Sequence, residues 1–350
     1  MKKTVVILVL VLIAFITAVY IVFGNQYKAA TSVHFVTEGM YEYTFEGDYG
    51  LDDLMAEGGA ASSDDLVRFV TKFLTHGLVN PEPSKDISRD FGCSSICAPC
   101  TNGTFCVGRN FDWPGANGDL VIVHSHPKTG HSSIASFYIP FLGFGDNWKP
   151  ESMQDKLMLL ASLFGALDGM NEKGLYVADL VAGDQDETHQ DSGKPNVTTT
   201  LAIRLLLNKA ANVEEALQLL NTYDHHSDVG FAHHLAISDA EGRNVVVEWV
   251  DNKMLVTESA LCTNHYLAPS SKQGSSLYYE DSHRRFDMLQ NWRDSLPAMT
   301  KEQLTQGISS VASKEYTRWT VVFDRKTMSA TYYQNADFSQ PYVAFIKREL

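Results

Sequence analysis

No Lys/Arg-rich run occurs anywhere in the 350 residues, and acidic side chains outnumber basic ones by 42 to 28, giving a net charge of −14. Proteins that grip nucleic acid display basic patches, so this balance argues against nucleic acid as a partner. No internal repeat is visible, which sets aside solenoids and repeat arrays. Cysteine is scarce: there are five, of which four stand between Cys93 and Cys106 and the fifth is Cys262. The spacing C-x3-C-x2-C-x5-C lacks a second paired half further along, whereas a zinc site needs four ligands converging on one point. His233 and His234 are adjacent on an expected strand and so point to opposite faces, which also disfavours a shared metal. No cofactor or metal is expected.

Charge is also missing from residues 4–23, "TVVILVLVLIAFITAVYIVF", which follow Lys2 and Lys3. Twenty uncharged residues are about the length of a bilayer-spanning helix. The two lysines favour a cytoplasmic N-terminus, and no convincing small-x-small cleavage site follows. Residues 1–24 are therefore expected to be a signal anchor or signal peptide. Either role places the rest of the chain outside the cytoplasm, membrane-anchored or secreted.

What remains has a globular composition, 44% apolar and 20% charged. Residues 25–92 read as a stalk and propeptide-like segment: polar, Gly-rich and acidic over 24–60, with one helix opened by Ser63, Asp64 and Asp65. From Cys93 to the C-terminus, hairpin patterns alternate with two central helices and a later one. That order suggests an α+β domain, residues 93–350, with antiparallel sheets.

The run "FGCSSICAPCTNGTFCVGRNFDW" reads as two strands joined by a two-residue Asn102-Gly103 turn. Opposed residues then sum to 205 and Cys93 faces Asp112. Arg109 falls on the other face in a regular strand, so a bulge or strand end is expected near it. Cys97 and Cys100 as a redox pair would prefer a helix N-terminus, and a strand is expected here. Cys97, Cys100, Cys106 and Cys262 are read as small core residues, with disulfides left open by the expected compartment. Cys93 differs. If it became the first residue of a chain it would carry both a thiol and an α-amine, whose ordinary pKa of about 7.7–8.0 suits a base. Asp112 could orient that amine and Arg109 could favour the thiolate. Phe137, Tyr138, Phe141, Leu142 and Phe144 read either as an acyl-binding wall or as core.

Cys93 with Arg109 sixteen residues on and Asp112 nineteen residues on, "DGMNEKGL" at 168–175, "LCTNHYL" around Asn264 and "SHRRFDML" around Arg285 stand in one order. This order resembles the cysteine branch of the N-terminal nucleophile (Ntn) hydrolases. That branch includes choloylglycine hydrolases, penicillin V acylases, acid ceramidase-like amidases and the acyl-coenzyme A:6-aminopenicillanic acid acyltransferase relatives. The resemblance implies a four-layer αββα sandwich of two antiparallel sheets, preceded here by the N-terminal transmembrane helix. It implies catalytic roles for Cys93, Arg109, Asp112, Asn264 (an oxyanion donor) and Arg285, with Arg284 as the alternative to Arg285. It further implies a small-molecule N-acyl amide substrate, cleaved at its linear C–N bond, or transfer of the acyl group to an amine. With 92 residues ahead of the cysteine, self-cleavage at Gly92–Cys93 into a two-chain form is expected; a homo-oligomer is compatible with the sequence. A rival reading is an inactive membrane-tethered binding module. Val181 stands where choloylglycine hydrolases place a second site asparagine, a departure that weighs against bile salts as the specific substrate.

Overall fold

The computed structural model describes residues 22–75, 92–115, 119–144, 148–182, 187–227, 230–269 and 277–347. The expected membrane span at 4–23 lies outside them except for Val22 and Phe23, the first described residues of helix α1, which covers 22–32 among the described residues. Among the described residues no helix is long and apolar enough to cross a membrane.

Among the described residues, two large sheets carry the fold. The first has nine strands: β1 (His34–Thr37), β2 (Met40–Glu46), β5 (Leu120–His126), β6 (Ser133–Tyr138), β7 (Asp168–Asn171), β8 (Tyr176–Val181), β11 (His233–Ser238), β12 (Asn244–Val250) and β13 (Lys253–Glu258), adjacent in that order. The second has six, in the order β14 (Leu261–Cys262), β3 (Ser94–Pro99), β4 (Phe105–Asp112), β15 (Thr317–Asp324), β16 (Ser329–Gln334) and β17 (Tyr342–Phe345). β9 (Asn196–Thr198) and β10 (Asp224–His226) form a small parallel pair. Every residue of β15 is buried, as expected for a central strand covered on both faces.

Helices cover the outer faces. α2 (Leu51–Ala56), α3 (Ser63–Thr75), α4 (Met153–Leu159), α5 (Thr199–Lys209) and α6 (Val213–Leu220) belong to the nine-stranded side, and α7 (Leu277–Ser295) and α8 (Lys301–Ser309) to the six-stranded side. Side-chain caps fix several starts: Thr198 accepts from Leu201 N–H, Asn212 from Glu215 N–H, and Thr300 forms a capping box with Gln303. Three apolar clusters fill the three gaps between four layers, so the αββα sandwich stands. The sheets are antiparallel with one exception in the larger one: β2 runs parallel to β5 over seven residue pairs.

That exception corrects the reading of residues 24–60 as a stalk. "MYEYTFE" is rich in aromatic and β-favouring side chains, and all but its last two alternate positions are buried in the sheet. Its one buried charge, Glu42, is met by His124 at 2.5 Å and by Tyr342 at 2.5 Å, which removes the cost of burying it. Acidic, Gly-rich flanks hid a genuine strand.

The first hairpin also departs from expectation. Cys100 N–H donates to Thr104 O at 2.7 Å, and Ser94 pairs with Asn110 and Ser95 with Arg109. Opposed residues sum to 204, because the loop holds three residues, Thr101 to Gly103, with Gly103 at φ +83° supplying the left-handed turn. A slip of one residue reverses faces. Arg109 therefore shares the inter-sheet side with Cys93 and Cys97, and no bulge in β4 is needed. The bulge lies in the partner strand instead, between Thr317 and Trp319.

Candidate active site

Cys93 stands immediately before β3, 2% exposed, in the cluster between the sheets. Its thiol reaches the Asp112 carbonyl at 3.9 Å, and the Gly92 N–H donates to that same oxygen at 3.4 Å. The residue paired with Asp112 is thus Gly92, one step from the expected Cys93. The Asp112 carboxylate is held on that side: Thr317 Oγ1 donates to its Oδ1 at 2.5 Å, and a Cβ built on Gly92 would lie 3.5 Å from its Oδ2. The β15 bulge is what lets Thr317 reach it.

Arg109 lies in the inter-sheet core, 0% exposed. It forms an ion pair with Asp168 at 2.9 Å and donates to the Asp179 carbonyl at 2.7 Å. Trp319 Nε1 donates to the same Asp168 oxygen at 3.0 Å, and the guanidinium also sits over Phe111, 5.1 Å from the ring centroid. Asp168, Asp179 and Thr317 were not singled out from the sequence. Asp168 opens the quoted "DGMNEKGL" run, so a signal was present; Thr317 became visible only through strand pairing.

Arg285, reaching from α7, ties the site together. Its Nη1 donates to the Cys93 carbonyl at 2.5 Å and to Ser94 Oγ at 2.8 Å, and its Nη2 donates to Asn264 Oδ1 at 2.9 Å. Asp281, one helical turn earlier, receives its Nε at 2.7 Å, an i,i+4 pair. Arg284 points outward to Asp281 and Met288, so of the two arginines only Arg285 enters the site. Asn264, 2% exposed, gives its side-chain nitrogen to the Val181 carbonyl at 2.8 Å, while its backbone N–H donates to Ser282 Oγ at 2.7 Å. All five residues expected from the sequence are brought together.

Electrostatics follow the burial. Desolvation pushes the Cys93 thiol up to about 11, against the opposing pull of Arg109. Burial likewise lifts the Asp112 carboxyl to about 7, with Arg285 and the Thr317 hydroxyl acting to lower it. The Cys93 nitrogen lies in the peptide bond to Gly92, so it cannot take the thiol proton.

The other cysteines separate. Cys100 and Cys106 form a disulfide across the hairpin, which corrects their reading as plain core residues. Cys97 and Cys262 are free and buried. The aromatic stretch divides too: Phe137 joins the helix-side core, Tyr138 joins the inter-sheet core, Phe141 touches both, Leu142 is half-buried, and Phe144 is exposed beside Trp148. Phe141 also meets Trp113 and Tyr138 with ring centroids 5.0 and 5.2 Å apart. His233 pairs with Asp179 and His234 with Glu248, each a separate contact, and His225 stacks on Trp249.

A family model described as acyl-coenzyme A:6-aminopenicillanic acid acyl-transferase matches residues 100–336, well over half of the chain. The chain belongs to that family. Within this acyl-transferase family match, Arg109, Asp112, Asn264 and Arg285 fall inside the aligned span, and Cys93 precedes it. Among solved structures, the chain is similar to penicillin V acylase from Agrobacterium tumefaciens, 17% identical over 72% of this chain and 84% of that one, with a TM-score of 0.49. Two variants of conjugated bile acid hydrolase from Clostridium perfringens are 13% and 14% identical over 72% of this chain and 92% of theirs, each with a TM-score of 0.50. At such identity the likeness to the bile acid hydrolases establishes a shared fold. No curated protein matches the chain in sequence.

Proposed function

We propose that this protein cleaves a linear amide of the N-acyl type with Cys93 as an N-terminal nucleophile, exposed when the chain cuts itself at Gly92–Cys93. The observation that carries this reading is the bridge made by Arg285 between the Cys93 carbonyl and Asn264 Oδ1. It aligns the start of β3 with the side chain best suited to receive an oxyanion.

In the first step the Cys93 sulfur attacks the Gly92 carbonyl carbon, and the Gly92–Cys93 C–N bond breaks as its nitrogen takes a proton. Water then hydrolyses the resulting thioester, leaving residues 1–92 with a C-terminal carboxylate and residues 93–350 with a free α-amine. Asp112, close to Gly92, would hold that amine as it forms. In the mature site the α-amine takes the thiol proton while sulfur attacks the substrate carbonyl. The amine then delivers the proton to the leaving nitrogen. Arg109 favours the thiolate, and the Asn264 amide stabilises the oxyanion, a contribution of about 3 kcal/mol for one donor. Water releases the acyl group. Trp113 and Phe141 form the apolar wall to which the acyl chain is assigned.

The two pieces would remain together, because β2 and helices α2 and α3 are packed into the same sheet and core as residues beyond Cys93. If residues 4–23 serve as an anchor, only that non-covalent packing would keep the catalytic chain at the membrane, outside the cytoplasm. A second reading draws on the family description: an amine replaces water as acyl acceptor. A panel of N-acyl amides, assayed with the wild type and with Cys93→Ala, tests the proposal. Release of amine by the wild type alone is expected; no release from any member refutes it. Adding acceptor amines separates transfer from hydrolysis.

A further inference from the structure

Arg204, in the middle of α5, is 0% exposed and faces the helix-side surface of the nine-stranded sheet. Its Nη1 donates to Ser133 Oγ at 3.2 Å, and its electrostatic neighbours are the phenols of Tyr49 and Tyr43. No carboxylate pairs with it among the described residues. Its Nε and Nη2, and the Ser125 hydroxyl, are buried with no partner at full hydrogen-bond geometry, the Tyr49 phenol being the one group close enough to interact with both residues.

The groups around the guanidinium carry no negative charge, and all but Tyr43 have a proton to give. Ser162 Oγ donates to Leu159 O, so the Tyr43 hydroxyl donates to Ser162 and is spent. Tyr49 accepts from Asn208 Nδ2 at 2.9 Å and keeps its own proton, as Ser133 does when it accepts from Arg204. A guanidinium remains charged at any pH the fold survives. A buried cation without a counter-charge is strongly disfavoured. Water could accept the spare N–H groups but would bring no charge. A single monovalent anion does both, and a multivalent one would overcompensate.

We propose that Arg204, together with the hydroxyls of Tyr49, Ser125 and Ser133, binds a small monovalent anion of the halide type inside the fold. Its ligands come from both sides of Gly92: Tyr49 from the lead-in, and Ser125, Ser133 and Arg204 from the later chain. The ion would therefore fasten the two segments to each other, whether or not the chain is cut.

The test uses the full chain and no activity assay. Melting temperature is followed as sodium chloride or bromide replaces sodium gluconate at constant ionic strength. A saturable rise of roughly 2–4 °C is expected with either halide, and Arg204→Met should abolish the response. Crystals grown in bromide should show an anomalous peak in contact with Arg204 Nε and Nη2. If that variant does not fold, the wild-type titration and the bromide crystals still decide. A wild-type melting temperature indifferent to the anion, or a water without anomalous signal at Arg204, overturns the proposal.

Discussion

Arg285 Nη1 lies 2.5 Å from the carbonyl oxygen of Cys93, while its Nη2 holds the side-chain oxygen of Asn264. One guanidinium therefore sets both the position of the nucleophile's backbone and the orientation of the neighbouring amide. Arg285→Met should lower kcat/KM by about 100-fold or more, the loss typical of an oxyanion donor put out of place. Arg284→Ala, which removes only surface contacts to Asp281 and Met288, should stay within about threefold of wild type. Steady-state kinetics on one cleaved amide checks the pair.

Asn264→Ala should lower kcat by about 10²–10³-fold with KM little changed, because an oxyanion forms only after attack. The wild-type side chain already gives one N–H to the Val181 carbonyl; an amide nitrogen has a second to give. Circular dichroism of the variant should match wild type, and equal losses in kcat and binding would argue for a packing role instead.

Asp112 gives a pH signature. In a chain kept uncut by Cys93→Ala, burial lifts its carboxyl from 3.8 to about 7. A group whose folded pKa is raised contributes stability that is complete below its unfolded pKa and is lost as pH rises through the folded one. The window is therefore about pH 4 to 7. Unfolding free energy should fall more between pH 5 and 8 for Cys93→Ala than for Cys93→Ala combined with Asp112→Asn. Histidines held neutral by burial, such as His126 and His265, act in the opposite sense and cancel in that difference. Urea melts at the two pH values supply the measurement.

The Cys100–Cys106 disulfide leaves Cys93, Cys97 and Cys262 as thiols. Denatured, unreduced protein should titrate with three thiols; five would contradict the pairing. Replacing both bonded cysteines by alanine should cost about 2 kcal/mol, the loop-entropy value for so short a loop.

Much of the site was legible because it is written in local runs. The spacing of Cys93, Arg109 and Asp112, and the segments holding Asn264 and Arg285, could be read before any fold was known. The register could not. Choosing a two-residue turn at Asn102-Gly103 rather than three residues from Thr101 to Gly103 shifted every pair by one. That single step placed Asp112 opposite Cys93 and sent Arg109 to the wrong face. Thr317 and Asp179 were invisible for a related reason: each reaches the site through a strand distant in sequence. The strand Met40–Glu46 was missed because its neighbours set the composition of the segment, while its burial depends on a parallel partner some eighty residues later. Asp281, four residues before Arg285 on one helix, is a local i,i+4 partner of the kind a sequence shows directly.

The central claim is that Cys93 becomes the first residue of a chain and carries the acyl group. Mass spectrometry of enzyme quenched in acid during turnover of an N-acyl amide tests it most directly. The expected result is a peptide beginning at Cys93, heavier by the acyl group as a thioester on its sulfur. A Cys93 found only inside an uncut, unacylated peptide, while amide is still being consumed, would contradict the account.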